Sequence, residues 1–116
     1  MISKLGYMPD PKRKRIAVIA NTHEQLKMYK QIFKNLRESC SFRFVWKPEE
    51  ALRIMENHHY DIVIIEEIPC ETIGPDIMQT RDPSTRFLFI SSHGTCALKM
   101  SEGDIFSTSE AASIHF

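Results

Sequence analysis

The stretch Tyr60-Asp61-Ile62-Val63-Ile64-Ile65-Glu66-Glu67 decides the fold. An unbroken apolar run, Ile62 to Ile65, ends in two carboxylates. All four apolar residues are β-branched, which favours a strand over a helix. The run does not alternate apolar with polar. It therefore predicts a strand buried on both faces, as in a parallel sheet covered by helices. In such sheets, sites collect beyond the carboxyl ends of the strands, and Glu66 and Glu67 fall at that end.

Upstream, Pro48-Glu49-Glu50 opens a helix. Proline suits the first helical position because its missing N–H has no partner there, and the two glutamates complement the positive end of the helix dipole. Ala51, Leu52, Ile54 and Met55 supply its buried face, and Asn57-His58-His59 closes it. Before that helix, Phe42-Arg43-Phe44-Val45-Trp46 is a strand whose aromatics share one parity, so it belongs at or near a sheet edge. Further back, Leu26, Tyr29, Ile32, Phe33 and Leu36 recur at helical spacing. Thr22 is the expected N-cap of this helix, with Gln25 as its capping-box partner. Ser39-Cys40-Ser41 is expected to end it. Ile16-Ala17-Val18-Ile19-Ala20, apolar on both parities, is a central first strand.

Downstream, residues 68–74 are predicted as a loop, followed by a short helix from Pro75 to about Arg81. Arg86-Phe87-Leu88-Phe89-Ile90-Ser91-Ser92 is a fourth strand, residues 94–101 a short helix and residues 103–106 a fifth strand. Strands alternating with helices through short connections predict an α/β fold. Its form is a three-layer, doubly wound sandwich around a five-stranded, mostly parallel sheet, with the last helix short or missing. Residues 1–15 read as a basic tail carrying Lys12-Arg13-Lys14-Arg15, and residues 16–116 as one domain.

The composition narrows the function classes. The 116 residues carry 15 Lys+Arg and 15 Asp+Glu, so a nucleic-acid or membrane-surface partner is not expected. No apolar run approaches the length of a membrane span, and the first residues lack the apolar segment of a signal peptide. Cys40, Cys70 and Cys96 form no C-x-x-C pair, and their odd number suits reduced thiols in the cytoplasm.

These residues resemble the receiver domain of two-component response regulators, a flavodoxin-like fold. In receivers the third strand reads aspartate, four apolar residues and a phosphoacceptor aspartate, and a glycine follows before the third helix. Asp61, Ile62 to Ile65, Glu66 and Gly74 reproduce that layout, and Pro48 to Leu52 resembles the start of the second helix. Ser91 or Ser92 takes the switch hydroxyl position. The resemblance spans about Ile16 to Phe106. It implies a signalling module that acts through a protein partner.

The departures bear on chemistry. Glu66 stands at the phosphoacceptor position, with Glu67 after it. Ala20-Asn21 replaces the acidic pair that binds Mg²⁺, and the conserved lysine position falls on Thr108. Phosphoryl transfer to a carboxylate needs Mg²⁺ to offset the charge on the phosphoryl oxygens. Ala20 offers no ligand and Asn21 only a neutral oxygen, so no cofactor is expected and Mg²⁺ binding is doubtful. The expectation is a pseudo-receiver without catalytic residues. Glu66 is read as a solvated residue at a strand end, ahead of the alternative that it mimics a phosphorylated aspartate.

Other constellations are weaker. His58-His59 lack a second pair at metal-ligand spacing, and histidine suits a helix C-terminus through the dipole alone. Cys70, His23 and His93 all follow strands on the same sheet edge. They define the alternative function, a small flavodoxin-like enzyme or ligand binder. Without a full last helix, Ile16, Val18 and the Leu26 face are expected to be exposed, inviting a homodimer or a docked partner helix over the first-helix face.

Overall fold

The computed structural model describes residues 13–80, 84–90 and 103–106. Chain order gives β1 (Lys14–Ile19), α1 (His23–Ile32), β2 (Cys40–Val45), α2 (Pro48–Asn57), β3 (Ile62–Glu66), α3 (Glu67–Thr80), β4 (Arg86–Ile90) and β5 (Gly103–Phe106). A single 3₁₀ turn, Lys34–Leu36, follows α1. The five strands form one sheet in the order β2-β1-β3-β4-β5, and every pairing is parallel. The chain leaves β1 toward β2 and returns to β3 on the other side. The topological switch point therefore lies between β1 and β3, where open α/β sheets place ligands.

The sandwich has the expected three layers. On one face, Ala17, Ile19, Val63, Ile65, Phe87 and Phe89 pack with Ala51, Ile54 and Met55 of α2 and with Ile73 and Ile77 of α3. On the other, Ile16, Val18, Ile62, Ile64, Leu88 and Ile90 pack under Leu26, Tyr29 and Phe33 around α1. Alternate residues of β1, β3 and β4 enter opposite cores, so these strands cannot carry a polar parity. β2 is the edge strand that its pattern predicts, with Phe42 and Phe44 only half-buried.

Several boundaries differ from the sequence expectations. β1 begins at Lys14, two residues early, because Lys14 and Arg15 pair with Cys40 and Ser41. Cys40 is accordingly a buried strand residue and not part of a helix end. The largest difference is α3. The expected loop over residues 68–74 is helical, and one helix runs from Glu67 through Pro69 and Pro75 to Thr80. Pro69 sits in the first turn, where no intrahelical N–H is needed. Pro75 costs roughly 3 kcal/mol inside a helix. Ile73 and Ile77 are buried on either side of it, and each contributes roughly 1.5–3 kcal/mol by leaving water. That burial is enough to offset the proline.

The expected exposure of the first-helix face is also corrected. Ile16 and Val18 are fully buried and Leu26 is 5% exposed, because Leu26, Tyr29 and Phe33 cover that side of the sheet. The tail to residue 12, Ser91, Ser92, His93, Thr108, the helix expected over 94–101 and the final segment 109–116 lie outside the described residues.

Candidate functional site

The carboxyl edge of β1 and β3 is built around Glu66. β3 ends there, and α3 begins at Glu67. Glu66 is 2% exposed, so it is not the solvated strand-end residue that the sequence suggests. Its carboxylate turns inward toward α1. Oε1 accepts a hydrogen bond from the backbone N–H of Asn21 at 2.7 Å. Oε2 accepts from Gln25 Nε2 at 3.1 Å and from the Tyr29 hydroxyl at 2.8 Å.

Three donors on two oxygens satisfy an ionised carboxylate, which can only accept. Hydrogen bonds to a charged group contribute about 1.5–3 kcal/mol each, which offsets the several kcal/mol needed to bury the charge. None of the three donors is a cation. The contact of His59 Nε2 with Asp61 Oδ1, at 3.3 Å, lies elsewhere. Tyr29 is fully buried beneath the carboxylate. Burial, the hydrogen bond to Glu66 and the negative charge of Glu66 together push its hydroxyl pKa far above the ordinary tyrosine value.

The local sequence explains this geometry. Thr22 is the N-cap in extended conformation, and its Oγ1 accepts from the Gln25 N–H at 3.1 Å. The Gln25 side chain does not return to close a capping box and goes to Glu66 instead. Gln25 and Tyr29 are one helical turn apart and share a face, so both reach the same oxygen. Tyr29 and Gln25 are the site residues that sequence reasoning missed. Their signal was a tyrosine at a buried helical position, since a buried phenol needs a hydrogen-bond partner.

At the opposite end of β3, Asp61 binds the strands together. Its Oδ2 accepts from the Arg15 N–H at 2.8 Å. Its own N–H and C=O bond Arg15 and Arg86.

The remaining candidates fall only partly within the described residues. Ala20 is fully buried and supplies no ligand, while Asn21 contributes the backbone N–H already described. Among the described residues no three His, Cys, Asp or Glu side chains converge on a point. The donors among the described residues do not fit Mg²⁺: the Glu66 oxygens face inward to three donors, and Ala20-Asn21 at the β1 end carries no carboxylate. His23, the first residue of α1, has its ring 6.2 Å from the ring of Trp46. Trp46 is 37% exposed, with Lys47 Nζ 5.6 Å from its ring centroid. Cys70 falls within α3. Ser91, Ser92, His93 and Thr108 lie outside the described residues, as do the side chains of Glu67 and Cys70.

No family model matches the chain, and no curated protein does. Solved structures do match. A CheY-like response regulator receiver domain from Methylobacillus flagellatus aligns over 82% of this chain and 85% of its own, at 16% identity and a TM-score of 0.63. The response regulator TrrA from Thermotoga maritima, solved in complex with Mg²⁺-BeF, aligns over 84% and 90%, at 17% identity and a TM-score of 0.59. A pilus assembly protein, CpaE, from Caulobacter crescentus aligns over 87% and 95%, at 15% identity and a TM-score of 0.57. The chain thus has the α/β fold of receiver domains. The flavodoxin-like architecture expected from its sequence is the one observed. No helix among the described residues is long and apolar enough to cross a membrane.

Proposed function

We propose that the chain is a receiver-like signalling module that works by contact with a protein partner and is not phosphorylated in the conventional way. The observation that carries this reading is the inward turn of Glu66, whose two oxygens are bonded to Asn21, Gln25 and Tyr29. An in-line phosphoryl acceptor must present an oxygen to the incoming group with Mg²⁺ beside it. Here the carboxylate is consumed in holding β3 to α1. Ala20 and Asn21 bring no second carboxylate, so the module needs no Mg²⁺. Its place is the cytoplasm, in keeping with the free, buried thiol of Cys40.

A homodimer or a docked helix at the first-helix face would use the half-buried rim of Met28, Ile32 and Leu36, since the core beneath it is covered. The test of the central claim is incubation with acetyl phosphate and Mg²⁺ followed by intact mass. No stoichiometric adduct is expected. A hydroxylamine-labile phosphate on Glu66 overturns the proposal.

A further inference from the structure

A second site lies at the other end of the sheet. A cleft of about 230 Å³ opens at the amino-terminal edge, lined by Arg15, Ser41, Phe42, Arg43, His58 and Tyr60. The strand register explains why these residues meet. Arg15 of β1 pairs with Ser41 of β2, so the two share a sheet face. Arg43, two residues along β2, returns to that face. Tyr60 precedes Asp61, whose N–H bonds the Arg15 carbonyl at 2.8 Å. His58 is the C-cap of α2.

Among the described residues the lining carries positive charge and no carboxylate. Asp61, the nearest acid in sequence, directs Oδ2 to the Arg15 N–H and Oδ1 to His59. Neither Arg15 nor Arg43 forms an ion pair among the described residues. The Arg15 guanidinium instead lies 5.4 Å from the centroid of the Tyr60 ring.

Tyr60 supplies an independent observation. It is 5% exposed, and its hydroxyl has no hydrogen-bond partner among the described residues. A buried phenol is ordinarily partnered. Burial pushes this hydroxyl up from its ordinary pKa, while Arg15 and then Arg43 pull it down, so both guanidiniums lie within its electrostatic reach.

We propose that this cleft binds a small phosphate-bearing anion, either inorganic phosphate or a small phosphomonoester. Two planar guanidiniums on one face match the several oxygens of a phosphate, to which arginine donates in pairs. The Ser41 and Tyr60 hydroxyls donate to the remaining oxygens. The cleft volume of about 230 Å³ is ample for a phosphate and several of its waters. The site is separate from Glu66, which lies at the carboxyl end of the same sheet.

The experiment titrates the full chain with inorganic phosphate and, separately, glycerol phosphate, at constant ionic strength and with amide chemical shifts as the readout. Saturable one-to-one binding is expected, with shifts centred on residues 15, 41–43 and 58–60. The tighter of the two ligands gives the source of the phosphate. Arg43→Gln alters an exposed side chain and should weaken binding about tenfold, the loss of one charge-assisted donor pair. Tyr60→Phe keeps the ring and should weaken binding by a smaller factor. Lys27→Gln on α1 makes the same charge change elsewhere and should leave binding unchanged. Absence of saturation with both ligands overturns the site. Equal weakening by Lys27→Gln and Arg43→Gln also overturns it, since binding would then follow net charge alone.

Discussion

Tyr29→Phe removes a single oxygen atom, the hydroxyl 2.8 Å from Glu66 Oε2. The ring stays fully buried and keeps its stacked contact with Phe33 at 6.1 Å between centroids. Glu66 is left 2% exposed with one donor fewer. Losing a hydrogen bond to a buried charge costs about 2 kcal/mol, from a total stability of about 5–15 kcal/mol for a domain. With a urea m-value of roughly 2 kcal/mol/M, the unfolding midpoint falls by about 1 M at unchanged m. A double-mutant cycle with Glu66→Gln should show a coupling of at least about 1 kcal/mol, as for residues in one hydrogen-bond network.

The same bond sets a pH dependence. Burial, the hydrogen bond and the charge of Glu66 hold the Tyr29 hydroxyl above its ordinary pKa of 10.0. The unfolded chain loses this proton near the ordinary value, whereas the folded chain retains it. The contribution is therefore whole below that pH and is lost as pH rises past it. Wild-type stability should fall more steeply above about pH 10 than that of Tyr29→Phe, the difference cancelling the other tyrosines. A loss below about 0.5 kcal/mol, with no difference in alkaline slope, would refute the reasoning, because water would then be replacing the hydroxyl and Glu66 would be solvated.

Two further substitutions test the scaffold beneath the site. Thr22→Ala removes the side-chain cap on the Gln25 N–H and should cost about 1 kcal/mol by urea titration. It should also lower the hydrogen-exchange protection of the first turn of α1, which holds Gln25 against Glu66. Ile64→Ala empties a fully buried position beneath α1 and should cost about 2–5 kcal/mol in the same titration.

The sheet was legible because its central strands are apolar on both parities, which only a covered parallel sheet explains. The edge position of β2 was legible from its single-parity aromatics. α1 and α2 were legible from caps and spacing, including Thr22 and Pro48. α3 was hidden because prolines are strong local breakers, yet Pro69 falls in the first turn, and the cost of Pro75 is outweighed by burial of Ile73 and Ile77 against a sheet assembled from distant strands. The site was half legible. The place of Glu66 followed from the strand, but its environment depends on partners 37 to 45 residues away. The burial of the first-helix face is not legible in the sequence, because it depends on how Leu26, Tyr29 and Phe33 pack across strands β1 and β3.

Glutamate and tyrosine at these two positions form one device. A carboxylate at the end of β3 ordinarily has water on one side. Glu66 instead turns beneath α1, and Tyr29 rises from the second turn of that helix to meet it. Asn21 and Gln25 close the remaining directions from the β1 end and the first turn of α1. Three segments are thereby fixed to one buried charge: the end of β1, the face of α1 and the end of β3. Sliding α1 against β3 would strip donors from that charge at about 1.5–3 kcal/mol apiece. At the amino end, Asp61 makes the corresponding tie through the Arg15 N–H, but the guanidiniums of Arg15 and Arg43 remain beside an open cleft. The Glu66 carboxylate at the carboxyl end thus ties three segments together, while the guanidiniums at the amino end line the cleft proposed to bind phosphate.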